Sequence, residues 1–393
     1  MSPALLALFA AAFAIGTSEF VIAGILPAVS EDLSISIPTA ALLVSLYALG
    51  VAVGGPLLAT FAGRFPKKRL LLVYVGIFVL GYAFCAVAPG FASLLAARVC
   101  IALIHGAYFG TAMVVATGIV EERRRGFAVG LILAGLTVAN IVGVPIGTAI
   151  GTNLGWRMTF WAVSGLGVVA FGLISVLVPA ADGGDTARGN LAAEFRVLGR
   201  EPVWTSIAVI VVQTVGQFAL FTYISPLLTS VSGIDINLVP WLLLLFGIGS
   251  TIGVLTGGRL ADWKLMASLT GILALQVVIY LLMVPLAGAP WAMAALVLLW
   301  GALGFAFGSP AQTRILVNTR DAPLLASSLI PSSFNVAMAF GAWFGGTLID
   351  RGYSYAVLPW IGAVSAALAT VIAAVSWARE RRSAKIPAAS PRM

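Results

Sequence analysis

The chain is 393 residues long; 61% of them are apolar and only 9% are charged. Soluble domains carry about 25% charged residues, so a water-soluble globular protein is excluded, and a mean hydropathy of +1.07 points the same way. The formal charge of +8 does not imply nucleic acid, because the Lys and Arg residues fall in short turns between long apolar runs, where membrane topology accounts for them.

Runs long enough to cross a bilayer, roughly 20 residues each, recur along the whole chain. In order they predict helices over 4–29, 38–62, 70–90, 93–119, 127–152 and 157–179. A second set follows over 202–229, 238–261, 267–288, 291–317, 325–349 and 354–378. The first run is too long for the apolar part of a cleavable signal, so no removed leader is expected. The expectation is an all-α membrane protein of twelve transmembrane helices. Its bundles of six would occupy 1–180 and 202–378, joined by a polar linker at 181–201 and followed by a tail at 379–393.

Nineteen of the 22 basic residues lie in the turns after even-numbered helices, the linker or the tail; the others are Arg98, Arg157 and Arg351. Basic turns stay in the cytoplasm, so both termini are expected there, in a bacterial inner membrane. Cys85 and Cys100 lie within apolar runs without a pairing framework, and His105 is the single histidine. No metal site is expected from such a set.

The two halves match at an offset of about 198 residues. Pro27 aligns with Pro226, Ala62 with Ala261, Gly106 and Gly110 with Gly304 and Gly308, and Gly143 and Gly147 with Gly341 and Gly345. Two such halves are the mark of a transporter whose bundles rock about a central site.

These features resemble the major facilitator superfamily, and within it the twelve-helix drug:proton antiporters of the arabinose-efflux and chloramphenicol-efflux branch. Helix one carries Gly16-Thr17-Ser18-Glu19-Phe20, then Gly24-Ile25-Leu26-Pro27. The turn after helix two, Arg64-Phe65-Pro66-Lys67-Lys68-Arg69, matches the superfamily's basic loop, repeated in the second half as Gly258-Arg259-Leu260-Ala261-Asp262. Gly143-Val144-Pro145-Ile146-Gly147 is similar to the antiporter motif of helix five, and Asn335 with Gly341, Gly345 and Gly346 resembles helix eleven of the branch. The resemblance implies the major facilitator fold and a gate formed by Arg64, Lys67, Lys68 and Asp262. The acid usual in the first loop is replaced by Gly63, so the latch is expected to rest on Asp262 or on the basic residues alone.

Glu19 is the only acid deep within a predicted helix. A charged acid at the bilayer centre costs about 2.5–3.5 kcal/mol, which favours a partner, a water cavity or a proton. A structural glutamate held by the Thr17 and Ser18 hydroxyls is the alternative. Arg98 is the only base deep within a span, at a depth within about 6 Å of Glu19 at ~1.5 Å per residue; it either tunes the acid's proton affinity, as the resemblance implies, or snorkels to the outer headgroups. His105, at i+7 from Arg98 on the same helix face, is either a proton relay, a hydrogen-bond partner for substrate or a neutral residue satisfied by a carbonyl. Gly135, Ala139, Gly143, Gly147 and Gly151 form a small-residue stripe that allows close helix approach, and Pro145 bends the backbone beside it. Gly143, Pro145 and Gly147 are thus packing residues with an expected part in gating. Polar and aromatic residues expected near the midplane cavity are Tyr47, Tyr108, Asn140, Gln213, Gln217, Tyr223, Trp300, Gln312 and Asn335.

The function expected is proton-driven efflux of a small amphipathic drug-like compound, a route to antibiotic resistance; export or facilitated passage of sugars or purine nucleosides is the alternative. An enzyme would need convergent catalytic groups that the spans lack, and a channel would not need two pseudo-repeats. There is no Walker motif to use ATP and no acid cluster for sodium. The partners expected are a small molecule, protons and the bilayer, with no cofactor, and the chain is expected to act as a monomer.

Overall fold

In hydrocarbon every backbone N–H and C=O must be paired within its own segment, so apolar runs of this length have one open solution, the helix. The computed structural model describes residues 2–62, 65–180, 199–319 and 323–383, and among them there is no strand. The first bundle holds α1 (Pro3–Asp32), α2 (Ile37–Ala62), α3 (Lys67–Val87), α4 (Phe91–Gly118), α5 (Glu122–Leu154) and α6 (Trp156–Leu177). The second begins with α7 (Glu201–Phe221). A single helical rod, Val239–Met283, follows, whose arms α8 (239–263) and α9 (265–283) meet at Lys264. Helices α10 (Pro290–Asn318), α11 (Pro323–Asp350) and α12 (Leu358–Ser383) complete it. Among the described residues ten helices are long and apolar enough to span a membrane; the Val239–Met283 rod supplies two spans and α11 adds another, giving the twelve.

Five details differ from the sequence expectation. Helix α7 does not run unbroken to 229: it turns at Thr222–Tyr223 and resumes as Ile224–Pro226 and a π-turn at Leu227–Val231. No loop separates 261 from 267, because helical geometry resumes directly after one non-helical residue, Lys264 (φ −149°, ψ 82°). Helix α10 is interrupted at Phe307. Helix α12 continues to Ser383, so Arg379 and Glu380 belong to a helix and not to a tail. Arg314, read as a loop residue, is buried within α10. Polarity sets where a span leaves hydrocarbon, while the hydrogen-bond ladder runs on into the interface. Most of the expected linker, and the tail beyond 383, lie outside the described residues.

The bundles meet most extensively along two helix pairs, α2 with α11 and α5 with α8. These pairs are equivalent under the sequence repeat. At Gly247 of α8 the backbones come so near that an added Cβ would lie 2.7 Å from Ile141 Cα on α5. Ser332 Oγ of α11 donates to the Ala52 carbonyl of α2 at 3.4 Å. The small-residue stripe of α5 faces elsewhere, onto α1 of its own bundle. A Cβ on Gly135 would sit 2.8 Å from Ala12 Cβ, and one on Gly147 2.6 Å from Val21 Cγ2. Helix α5 carries a π-turn at Ala139–Gly143 just before Pro145, and π-turns gather at functional sites.

The stripe yields a stability prediction. Gly147→Val drives a branched side chain into Val21, and such overpacking costs about 1–3 kcal/mol. Gly165→Val, where nothing lies within 4 Å of the added Cβ, serves as the control. Thermal unfolding of the two variants in detergent should show a lowered midpoint for the first only.

Candidate functional site

The acidic segment of α1 is held so that its hydroxyls are already occupied. Thr17 Oγ1 donates to Phe13 O at 2.8 Å, and Ser18 Oγ to Ile15 O at 2.6 Å. Neither binds Glu19, which removes the reading of a glutamate pinned by its neighbours. The Glu19 side chain is 9% exposed, and its nearest basic group is His105 Nε2 at 3.8 Å. On the other side of the imidazole, Nδ1 lies 3.0 Å from the Tyr47 hydroxyl. The Arg98 guanidinium stacks over the Tyr47 ring at 4.5 Å. Four helices therefore deliver one continuous run of groups: Glu19 from α1, His105 and Arg98 from α4, Tyr47 from α2, and Tyr82 from α3.

Arg98 is fully buried, so the snorkelling alternative fails. Its Nε donates to Leu43 O at 3.2 Å, and Nη1 to Ser18 O at 3.4 Å and to Tyr82 Oη at 3.3 Å. Nη2 is buried and has no hydrogen-bond partner. The expected closeness in depth holds, since Arg98 reaches the residue next to Glu19, yet the two form no ion pair within 4 Å. The planar fork of an arginine suits this task of gathering acceptors from three neighbouring helices.

Between the bundles lies a seam lined by Phe20, Asn140, Gln217, Phe218, Phe221, Phe246 and Phe305, with no space for a water molecule. Phe20 and Phe218, which are exact repeat mates 198 residues apart, stack face to face at 6.2 Å. Phe246 packs on Phe221 at 4.9 Å and on Trp300 at 4.8 Å. Asn140 sits in the π-turn of α5, its Nδ2 donating to Leu136 O at 3.3 Å. Gln217 Oε1, on the opposite wall, is buried and without a partner.

The other residues expected at the cavity are dispersed. Tyr108 donates to Leu8 O at 2.8 Å and ties α4 to α1, and Tyr223 donates to Ala342 O at 2.9 Å. Gln213 pairs with Gln276, which donates to Leu303 O at 2.8 Å inside the second bundle. Trp300 backs the seam and donates to Tyr280 Oη at 2.9 Å. Asn335 Nδ2 donates to Pro331 O at 3.0 Å in its own helix. Gln312 is half-buried beyond the break in α10, close to Gly308. The five seam phenylalanines were not singled out from the sequence. The signal was present for one pair: Phe20 and Phe218 match at the repeat offset.

At the basic end, Lys67 is buried at the start of α3, and Lys68 Nζ donates to Ser175 O of α6 at 2.7 Å. Asp262 is exposed and forms no ion pair among the described residues; Arg64 and Gly63 lie outside them. The second bundle is instead clasped by Arg314, which donates to Thr205 Oγ1 at 3.1 Å, Ser376 Oγ at 2.6 Å and Glu380 Oε1 at 2.5 Å. Arg379 pairs with Glu201 at 3.0 Å beside it. At the opposite end Arg157 pairs with Asp32 and stacks on Trp156 at 4.2 Å.

A family model described as Major Facilitator Superfamily matches residues 8–322. The chain belongs to the major facilitator superfamily. It is similar to the inner membrane transport protein YdhP of Escherichia coli (strain K12), at 38% identity covering 95% of each chain. It is 34% identical to the chloramphenicol resistance protein of Streptomyces lividans, over 92% of both. Among solved structures, a bacterial homologue of the human lysosomal transporter Spinster, inward-facing and occupied, superposes with a TM-score of 0.70 at 17% identity, covering 95% of this chain and 94% of that one. Membership makes this chain a multi-pass membrane transporter.

The clasp around Arg314 is open to test. Glu380→Ala leaves a buried guanidinium without its carboxylate, and breaking such a pair costs up to about 3–5 kcal/mol, less here because Glu380 is 40% exposed. Glu121→Ala breaks an exposed pair with Arg123 and should cost under about 1 kcal/mol. Melting curves of the two variants should separate accordingly.

Proposed function

We propose that the protein is a proton-coupled antiporter that exports a small amphipathic compound by alternating access. The observation that carries this reading is the Glu19 carboxyl: enclosed, without a hydrogen bond among the described residues, and adjacent to the single histidine. A carboxyl bound by fixed donors would stay ionised through a cycle, whereas this one is free to take a proton and return it. His105 and Tyr47 extend the path from the acid, and Arg98 supplies positive charge without capping the carboxylate. A charge bound and released on one side only can bias which bundle arrangement is favoured, and that is the coupling a transporter needs.

The substrate class follows from the seam. Five phenylalanine rings, one asparagine and one glutamine make an apolar wall with few polar anchors, which suits an amphipathic drug-like molecule better than a sugar. The resistance named for the Streptomyces lividans relative agrees with this. Parting of α5 from α8 and of α2 from α11 would open the seam. The clustering of basic residues at one end favours cytoplasmic termini, in an inner membrane like that of the Escherichia coli relative. We take the working unit to be a monomer that needs no cofactor. With about 2.3 kcal/mol per charge at 100 mV and ~1.36 kcal/mol per tenfold, one proton per neutral molecule sustains roughly a 50-fold gradient.

The test uses liposomes with a pH-sensitive dye inside, an imposed proton gradient, and chloramphenicol, arabinose and a purine nucleoside added singly. Chloramphenicol should trigger proton movement in the wild type and none in Glu19→Gln. Tyr47→Phe removes one hydrogen bond worth roughly 0.5–1.5 kcal/mol and should slow coupled flux about two- to tenfold. Coupled flux surviving in Glu19→Gln would refute the assignment of the acid. Movement of labelled substrate without protons would make the protein a facilitator.

A further inference from the structure

We infer that the basic end of the second bundle binds the headgroup of an anionic phospholipid, in the groove where α9 leaves the break at Lys264 and passes α12. The groove measures about 340 Å³ and is lined by Lys264, Leu265, Met266, Ala267, Trp377 and Arg381. Lys264 and Arg381 are both exposed, and neither forms an ion pair among the described residues. Each lies over an indole instead: Lys264 Nζ is 4.7 Å from the Trp263 ring, and the Arg381 guanidinium is 4.4 Å from Trp377. Their neighbours are balanced differently, since Arg379 is taken by Glu201 and Arg314 by Glu380. Of the acids close in sequence, Glu380 is committed to Arg314, and Asp262 lies on the α8 side of the break. The groove therefore presents two positive charges against an apolar floor.

Three features select a lipid over a soluble anion. Trp263, 70% exposed, and Trp377 are the amphipathic rings found at headgroup level in membrane proteins. The floor residues Leu265 and Met266 have nothing to offer a hydrated ion. From Ala267 one face of α9 then continues into the membrane as an open strip. A Cβ on Gly271 would meet nothing within 4 Å, and Leu275, Val278 and Leu282 follow at helical spacing with 55%, 50% and 41% exposure. A phosphate held between Lys264 and Arg381 would lay an acyl chain along that strip. The proposal needs the bilayer but not proton coupling, so it stands or falls apart from the antiport reading.

Native mass spectrometry of the purified full chain, with phosphatidylglycerol, phosphatidylcholine or inorganic phosphate added, tests it. The wild type should retain phosphatidylglycerol in preference to phosphatidylcholine. The Lys264→Gln/Arg381→Gln pair should bind it roughly ten- to thirtyfold more weakly, as expected for two basic side chains at a membrane surface. Lys264→Arg should keep binding, and Arg123→Gln/Arg125→Gln, at the same end of the first bundle, should leave it unchanged. Equal retention by the Lys264/Arg381 pair variant, or equal binding of phosphatidylcholine, overturns the site. Displacement of the lipid by inorganic phosphate alone at equal concentration would mean a free-anion site and overturns the lipid assignment. Unchanged melting curves confirm that the variants are folded.

Discussion

Burying a guanidinium inside an apolar bundle is the constraint on which the first half of this molecule depends. Arg98 has no exposure, and an isolated charge there would be prohibitive. Its cost is offset by Leu43 O on α2, Ser18 O on α1 and Tyr82 Oη on α3, with the Tyr47 ring beneath it. One residue on α4 thus fixes the mutual placement of four helices. The same packing leaves Glu19 enclosed without a hydrogen bond among the described residues, because the acceptors nearest to Arg98 are carbonyls and a phenol. A direct bidentate pair would have held the carboxylate charged. The stability of the bundle and the chemical freedom of its acid have one origin.

The second bundle uses the same scaffold with the charge removed. Tyr82 has its repeat mate in Tyr280, but the donor to Tyr280 Oη is the Trp300 indole, where the first bundle uses Arg98. Glu19 is matched by Gln217, and Tyr47 by Phe246 at an offset one residue longer. Neutral side chains fill the equivalent positions at no electrostatic cost, and they turn toward the seam between the bundles. Phe20 and Phe218 meet face to face there, as repeat mates on helices related by a two-fold axis should when the axis passes between them. The deep charged groups are in this way confined to one bundle, while the aromatic seam is lined from both.

Helix irregularities follow the same asymmetry. Helices α1 and α4 are continuous, whereas their counterparts α7 and α10 are interrupted at Thr222–Tyr223 and at Phe307. Broken helices near the midplane are a common device for binding and for motion in transporters. In the first bundle the corresponding irregularity is moved to α5, where the π-turn at Ala139–Gly143 carries Asn140 against Gly247 of α8.

Hydropathy and charge in the sequence were enough to determine twelve helices, the repeat, and Glu19 and Arg98 as charges set deep in the first half. Each of these is a property of one segment or of an alignment, and the cost of charge in hydrocarbon leaves few alternatives. Folding decided what those charges touch. Nothing in the spacing of Tyr47, Tyr82, Ser18 and Leu43 says that one guanidinium gathers them. That depends on which faces of α1 to α4 meet. The seam of phenylalanines, the burial of Arg314 by residues from α7 and α12, and the one-residue break at Lys264 are decided the same way. In an apolar chain most faces are equally greasy, so sequence pattern separates membrane from water but does not separate lipid-facing from bundle-facing, and only packing makes that choice.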